Sequence, residues 1–351
     1  MSDTEMEDIS EPSASKTVSP SPDVREMPWV EKYRPKTLDD VSSHKEVIDT
    51  IKRLTSENRL PHLLFYGPPG TGKTSTVLAI ARQLYGSAVP TMTLELNASD
   101  ERGIQVVRQQ VQDFASTKTV FSSQSKLVIL DECDAMTNDA QFALRRVIEK
   151  YTRNARFCLI CNYVSKVIPA LQSRCTRFRF PPLSTPYVAA RVREIADMEG
   201  LRLSKDGLEA VVVLGGGDMR RTLNILQACH MAFPKGIDEL AVYQCTGQPL
   251  PADVRFAFQT LLSDSVEDAF RKIVLLQVEK GLALSDLVRE LHPILFECRS
   301  LSTKIKATLV ERLADVEYYL AGGASERLQL GGLVAAFIIG REDIVAAAAR
   351  V

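Results

Sequence analysis

The sequence predicts an α/β core, a parallel sheet with flanking helices, followed by a small helical lid and an all-helical collar domain. Three features point there. Short continuous apolar runs alternate with amphipathic stretches as far as Pro182, the strand signal then vanishes, and Gly247-Gln248-Pro249 breaks the helical remainder in two. A run such as Leu127-Val128-Ile129-Leu130 carries no alternating polar residue. It suits a strand covered on both faces, which implies parallel pairing and crossover helices.

Residues 1–25 are rich in Ser, Pro and acids and nearly lack large apolar side chains. Such a segment cannot bury enough surface to offset its ordering entropy, so a disordered tail is expected. Ser19-Pro20 and Ser21-Pro22 could serve proline-directed kinases, although a solubilising tail is the plainer reading. The core is placed at 26–182, with strands over 63–66, 91–96, 127–130, 157–161 and 177–180. Helices are expected between them, among them 74–84 and 139–151. The lid, 183–247, reads as short helices over 186–199, 204–213, 218–232 and 236–245, punctuated by glycines. In the collar, 248–351, apolar residues recur at helical spacing, Ser265 with Asp268 resembles a capping box, Pro293 is a candidate kink and Gly322-Gly323 a turn. The collar is the candidate surface for oligomerisation.

Composition excludes several classes. With 45% apolar and 25% charged residues the chain is globular. The pattern of a leader is not seen, and no apolar run approaches the roughly 20 residues of a bilayer span, so no membrane partner is expected. The cysteines number seven, an odd count scattered through apolar segments, which argues against a disulfide framework. Cys158-x-x-Cys161 lies in an apolar strand with no second pair or spaced His, so these thiols read as small hydrophobes rather than metal ligands. The net charge of -1 conceals an asymmetry: residues 1–26 hold seven acids against two bases, leaving about +4 on the rest. Any nucleic-acid contact must therefore come from local placement.

Gly67-Pro68-Pro69-Gly70-Thr71-Gly72-Lys73-Thr74 follows the apolar strand 63–66 and opens a helix. This is the context that a P-loop requires. Its glycines let backbone amides wrap phosphates, and the helix N-terminus adds its dipole. Lys73 is expected to hold the β and γ phosphates of ATP and Thr74 to ligate Mg²⁺, with the loop through Ser75 contributing contacts. Asp131-Glu132 ends the run 127–130, at the strand edge where open α/β sheets bind ligands. Asp131 is read as an Mg²⁺ ligand through water, and Glu132 as the residue that orients and deprotonates the attacking water.

Taken together, Pro28 to Pro35, the P-loop, Asn97 to Gly103 and Ser173-Arg174-Cys175 resemble the small subunits of replication factor C, AAA+ ATPases that load sliding clamps. The resemblance covers residues 27 to about 340 and is only architectural in the collar. Two runs, Ala143 to Glu149 and Cys161-Asn162-Tyr163, look most like the branch numbered third in fungi and fifth in animals. The resemblance implies that Val30 and Arg34 line the nucleotide, and that Asn162 is the sensor on the γ phosphate or lytic water. It implies a second sensor, Arg220, on the lid, and an arginine finger, Arg174, serving a neighbouring subunit's ATP. Asn97 would couple the catalytic glutamate to DNA, and Arg102, Arg108 and Lys166 would track DNA phosphates.

It further implies a hetero-pentamer with other replication factor C subunits, a sliding clamp and primer-template DNA as partners, and a nuclear location. A subunit that binds ATP only as structural glue is the alternative, opposed by the intact Lys73, Asp131, Glu132 and Asn162. A branch-migration motor would want a winged DNA-binding domain where only helices are expected. Two departures from the family pattern stand out: Cys133 where Ala is usual, and Phe142 where Asn is usual.

Overall fold

The computed structural model describes residues 27–57, 60–98, 104–117, 125–299 and 301–348. The expected tail, 1–25, and Arg102 lie outside the described residues. By internal contact the chain divides into two compact units, one running up to Phe65 with Gly72–Phe178, the other Tyr66–Thr71 with Arg179–Val351.

The first unit opens with helices α1 (Trp29–Lys32) and α2 (Lys45–Ser56). It continues with β1 (Leu63–Tyr66), α3 (Lys73–Tyr85), α4 (Val89–Met92), β2 (Thr93–Asn97) and α5 (Ile104–Ser116). Then come β3 (Lys126–Asp131), α6 (Asn138–Tyr151), β4 (Ala155–Cys161), α7 (Pro169–Gln172) and β5 (Thr176–Arg179). The five strands form one sheet in the order β2-β3-β4-β1-β5. β2 pairs with β3 and β3 with β4 in parallel, in registers that set Asn97 opposite Asp131 and Leu130 opposite Leu159.

Burial follows position in the sheet. Leu127 to Leu130 of β3 and Phe157, Cys158 and Leu159 of β4 are wholly inaccessible, whereas the edge strands β2 and β5 are partly exposed. Each buried Leu, Ile or Phe contributes roughly 1.5–3 kcal/mol relative to exposure, so the central strands carry the unit's core. Four of the five strands shift by one or two residues from expectation, β4 starting at Ala155 and β5 ending at Arg179; at β2, Thr91 and Met92 belong to α4 and the strand starts only at Thr93. Pro90 stands in the first turn of that helix, where its fixed φ and missing N–H cost nothing.

The second unit is helical after β5, with α8 (Thr185–Glu199), α9 (Lys205–Gly215), α10 (Met219–Ala232) and α11 (Glu239–Thr246). They are followed by α12 (Pro251–Ser263), α13 (Val266–Lys280), α14 (Leu284–Glu297), α15 (Thr303–Ala321) and α16 (Glu326–Ala348). Side-chain oxygens of Ser204, Asp218, Asp238 and Ser265 accept the N–H of the third residue of α9, α10, α11 and α13, namely Gly207, Arg221, Ala241 and Asp268. Gly200, Gly216, Gly247 and Gly281 end helices in the left-handed conformation that costs glycine no Cβ clash. Helix α14 runs through Pro293. The last five helices share one core, in which the rings of Phe258 and Phe337 meet edge to face at 6.1 Å. No helix among the described residues is long and apolar enough to cross a membrane.

Candidate nucleotide site

Helix α3 begins at Gly72, whose φ of +92° is left-handed and which has no side chain to cap the helix's free N–H groups. A helix start without a side-chain cap is a place where an anion can bind. Lys73 follows and is 7% exposed, an unusual depth for an ammonium. Its Nζ donates to Asn162 Oδ1 at 3.0 Å, so the end of β4 and the start of α3 meet through the two polar groups singled out in the sequence. Next to it, Thr74 Oγ1 donates to Asp131 Oδ2 at 2.7 Å. A buried cation, an uncapped helix start and a hydroxyl–carboxylate pair form a donor set that fits a polyphosphate with a hard divalent cation.

Asp131 is fully engaged: its Oδ1 accepts the Glu132 N–H at 2.8 Å, and its carbonyl accepts the Ala98 N–H at 2.8 Å. Glu132 itself is exposed and sits at φ +55°, the single non-glycine residue with positive φ among those described. A side chain in the left-handed region costs of order 1 kcal/mol and persists where its surroundings impose it, commonly at working sites. Glu132 thus projects from a strained corner held by Asp131.

Asp134, two residues on, has a role that its sequence context does not signal. Its Oδ2 accepts the backbone N–H groups of Asn162 at 3.2 Å and Tyr163 at 3.1 Å, so the acidic loop grips the main chain that carries Asn162. The departure at Cys133 is absorbed locally: the residue is buried and its thiol donates to the Leu130 carbonyl at 3.1 Å. Burial pushes this thiol, and those of Cys158 and Cys161, up from the ordinary range, Cys161 to about 12. They behave as packed neutral groups. Phe142 is 49% exposed on α6, and nothing in the structure explains its replacing Asn.

Arg34 reaches α3 through Nε to Ser75 Oγ at 3.4 Å and pairs with Glu31 at 3.0 Å. Val30 is half-buried in α1. Arg174 lies in the turn between α7 and β5; its Nη1 donates to the Ala170 carbonyl at 2.6 Å and its Nη2 to Glu149 Oε1 at 2.5 Å. Lys166 is exposed, with Nζ 5.3 Å above the Tyr163 ring. Arg108 falls within α5, but its side chain is outside the described residues.

The first half of the loop belongs to the helical unit. Gly67, at φ +144°, lies against the Phe180 carbonyl, where a Cβ would come within 2.0 Å. Gly70, at φ +67°, lies so close to Asp218 that a Cβ would overlap its carboxylate at 1.6 Å. The Met219 N–H donates to the Gly70 carbonyl at 3.2 Å. Asp218 caps α10, and Arg220 is exposed on that helix's first turn. Within this unit, then, the glycines permit a close approach between the loop and the helix bearing Arg220. The loop pattern signalled glycines but not their partner.

Comparison with known proteins agrees with this geometry. The family model for the AAA ATPases associated with various cellular activities matches residues 63–183, and the replication factor C C-terminal domain matches 249–336. Replication factor C subunit 3 of Oryza sativa is 55% identical over 334 residues, covering 94% of this chain and 92% of that protein. Human replication factor C subunit 5 is 53% identical, covering 93% and 95%. Subunit 3 of Saccharomyces cerevisiae is 47% identical, covering 88% and 92%. A solved structure, the Thermotoga maritima RuvB Holliday junction branch migration motor, aligns at a TM-score of 0.50 and 15% identity over 72% of this chain and 88% of its own, a likeness of fold alone. At such identity over nearly the whole length, and with a nucleotide-binding ATPase domain in front of the family's own C-terminal domain, the chain belongs to the replication factor C family of AAA+ clamp-loader subunits, in the branch numbered third in fungi and fifth in animals.

Proposed function

We propose that this chain binds Mg²⁺·ATP on the loop 67–74 and hydrolyses it as one subunit of a nuclear hetero-pentamer that opens a sliding clamp and closes it on primer-template DNA. The observation that carries the proposal is the paired contact of Lys73 with Asn162 and of Thr74 with Asp131, beside the projecting Glu132. When bound, Mg²⁺ would neutralise charge developing on the phosphates. Lys73 would exchange its Asn162 contact for phosphate oxygens, and Thr74 with Asp131 would hold the cation. Asn162 would then turn to the γ phosphate or the attacking water, which Glu132 orients and deprotonates. Arg34 and Val30 would flank the nucleotide, and Arg220 would bring its guanidinium from the lid.

Transition-state charge on a γ phosphate is relieved by a guanidinium, an effect of roughly 10³–10⁵ in rate. Here Arg174 would supply it to the neighbouring subunit's ATP, tying turnover to assembly. Lys166, with Arg102 and Arg108, would follow DNA phosphates, which suits a machine that acts at any sequence.

Single-turnover hydrolysis by the assembled complex tests the reading. Glu132→Gln in this chain is expected to remove its contribution to turnover while ATP binding survives. An unchanged rate would leave a purely structural nucleotide in its place.

A further inference from the structure

Arg174 and Glu149 are brought together from different elements. Glu149 lies near the C-terminal end of α6, and Arg174 follows α7 in the turn whose backbone is closed by the Arg174 N–H to Leu171 carbonyl bond at 3.1 Å. The Arg174 guanidinium is held at two points, by the Glu149 carboxylate and by the Ala170 carbonyl, at 2.5 and 2.6 Å. A planar fork gripped at two nitrogens has its orientation set, and of its five N–H donors others remain for an oxyanion.

The pair is not built for stability. Side-chain exposure is 31% for Arg174 and 43% for Glu149, and ion pairs so open to water contribute little to folding. Nor is it electrically closed. Glu149 Oε1 also accepts from Arg145 Nε, one helical turn back, at 3.1 Å. Two guanidiniums therefore share one carboxylate, and the cluster keeps a positive charge. The carboxyl of Glu149 is held below the usual range by Arg145 and Arg174, so it stays ionised.

We infer that Glu149 is the positioning residue for Arg174, holding its guanidinium in a fixed orientation before the neighbouring subunit's nucleotide arrives. This rests on the reading of Arg174 as the residue lent across the subunit boundary. A long exposed arginine otherwise samples many rotamers and must be ordered in the transition state; a side chain already ordered removes that part of the barrier. Glu149 touches neither substrate nor reacting atoms and acts only through Arg174.

The test uses the assembled hetero-oligomer carrying this chain as wild type, Glu149→Ala, Glu149→Gln, Arg174→Ala or the Glu149→Ala/Arg174→Ala double variant, with integrity checked by native mass measurement. Single-turnover hydrolysis at saturating ATP is read alongside ATP affinity. The phase that Arg174→Ala abolishes should slow about tenfold in Glu149→Ala, with affinity unchanged within twofold. Glu149→Gln, which keeps an acceptor oxygen, should recover part of the rate. The double variant should match Arg174→Ala alone. A Glu149→Ala rate that is unchanged, or faster as release of a latch would make it, overturns the proposal. So does a further loss on the Arg174→Ala background. An Arg174→Ala complex with full turnover sinks the assignment of Arg174 itself, and is thereby distinguishable from failure of Glu149 alone.

Discussion

A carboxylate that accepts two consecutive backbone N–H groups fixes the main chain from which the intervening side chain springs. Asp134 does this to Asn162 and Tyr163, and Asn162 in turn meets Lys73. Removing the acceptor leaves two N–H groups without their partner and lets the end of β4 drift, and displacements of about 1 Å near reacting atoms can cost 10²-fold. Asp134→Ala is therefore expected to slow single-turnover hydrolysis at least tenfold with ATP affinity held within about threefold, whereas Asp134→Asn, which keeps an oxygen acceptor, should lose less. Equal rates for Asp134→Ala and wild type would show that Asn162 does not depend on this grip. The contrast with Lys73, Thr74, Asp131 and Glu132 shows what is legible at this scale. Local pattern alone singles them out, a glycine-rich loop between strand and helix and an acidic pair at a strand end. Asp134, Asp218 and Glu149 act on partners 25 to 148 residues away, so nothing in their own neighbourhood announces them. The left-handed backbone of Glu132 is invisible for a further reason, as glutamate carries no signature of positive φ.

Whole elements were easier to read than their edges. The central strands are legible because residues covered on both faces must be apolar throughout, while the start of β2 is not, because Thr91 and Met92 suit a strand by propensity yet lie downstream of a proline in a helical first turn. What joins β1 to β4 was not readable either. His62, just before β1, is 8% exposed; its Nδ1 accepts the Phe157 N–H at 3.1 Å, and its ring packs on Phe157. That role needs the neutral imidazole. Burial first, and the nearby Arg156 second, lower its pKa from 6.5 to about 4. The unfolded chain then binds the proton more readily than the folded one between those values. Stability is complete above pH 6.5 and falls as the pH drops towards 4, by roughly 2 kcal/mol after allowance for residual solvent screening. Denaturant unfolding of the full chain at pH 7 and pH 4.5 should show this loss, and His62→Gln should show a loss smaller by about that amount. Identical pH dependence in the two proteins would remove the burial argument. A buried glutamine performs similar work elsewhere: Gln141 donates to the Met136 and Lys166 carbonyls and accepts the Ile168 N–H, fastening α6 to the segment that carries Lys166.

At the scale of the molecule, charge decides how the chain can meet DNA. The body carries only about +4 once the acidic first 26 residues are set aside, so bulk charge supplies little affinity for DNA by itself. On the proposed function, affinity would come from a few cations at the right places, repeated around an assembly, each releasing counterions as it neutralises a phosphate. Lys166 is suited to this, exposed on a short turn whose backbone is anchored by Gln141, with its Nζ 5.3 Å from the centre of the Tyr163 ring. Its turn follows closely on Asn162, so a phosphate contact there would lie a short step along the chain from the residue that meets Lys73. Replacing Arg102, Arg108 and Lys166 together by Ala in the assembled loader should leave ATP affinity unaltered and weaken stimulation of turnover by primer-template DNA. Each phosphate contact adds about 0.9 to the slope of log affinity against log salt on duplex DNA, so the triple variant should flatten that slope by roughly 2 to 3. A slope that stays the same, with stimulation intact, would mean that these side chains are ordinary solvated cations and that other parts of the assembly hold the DNA.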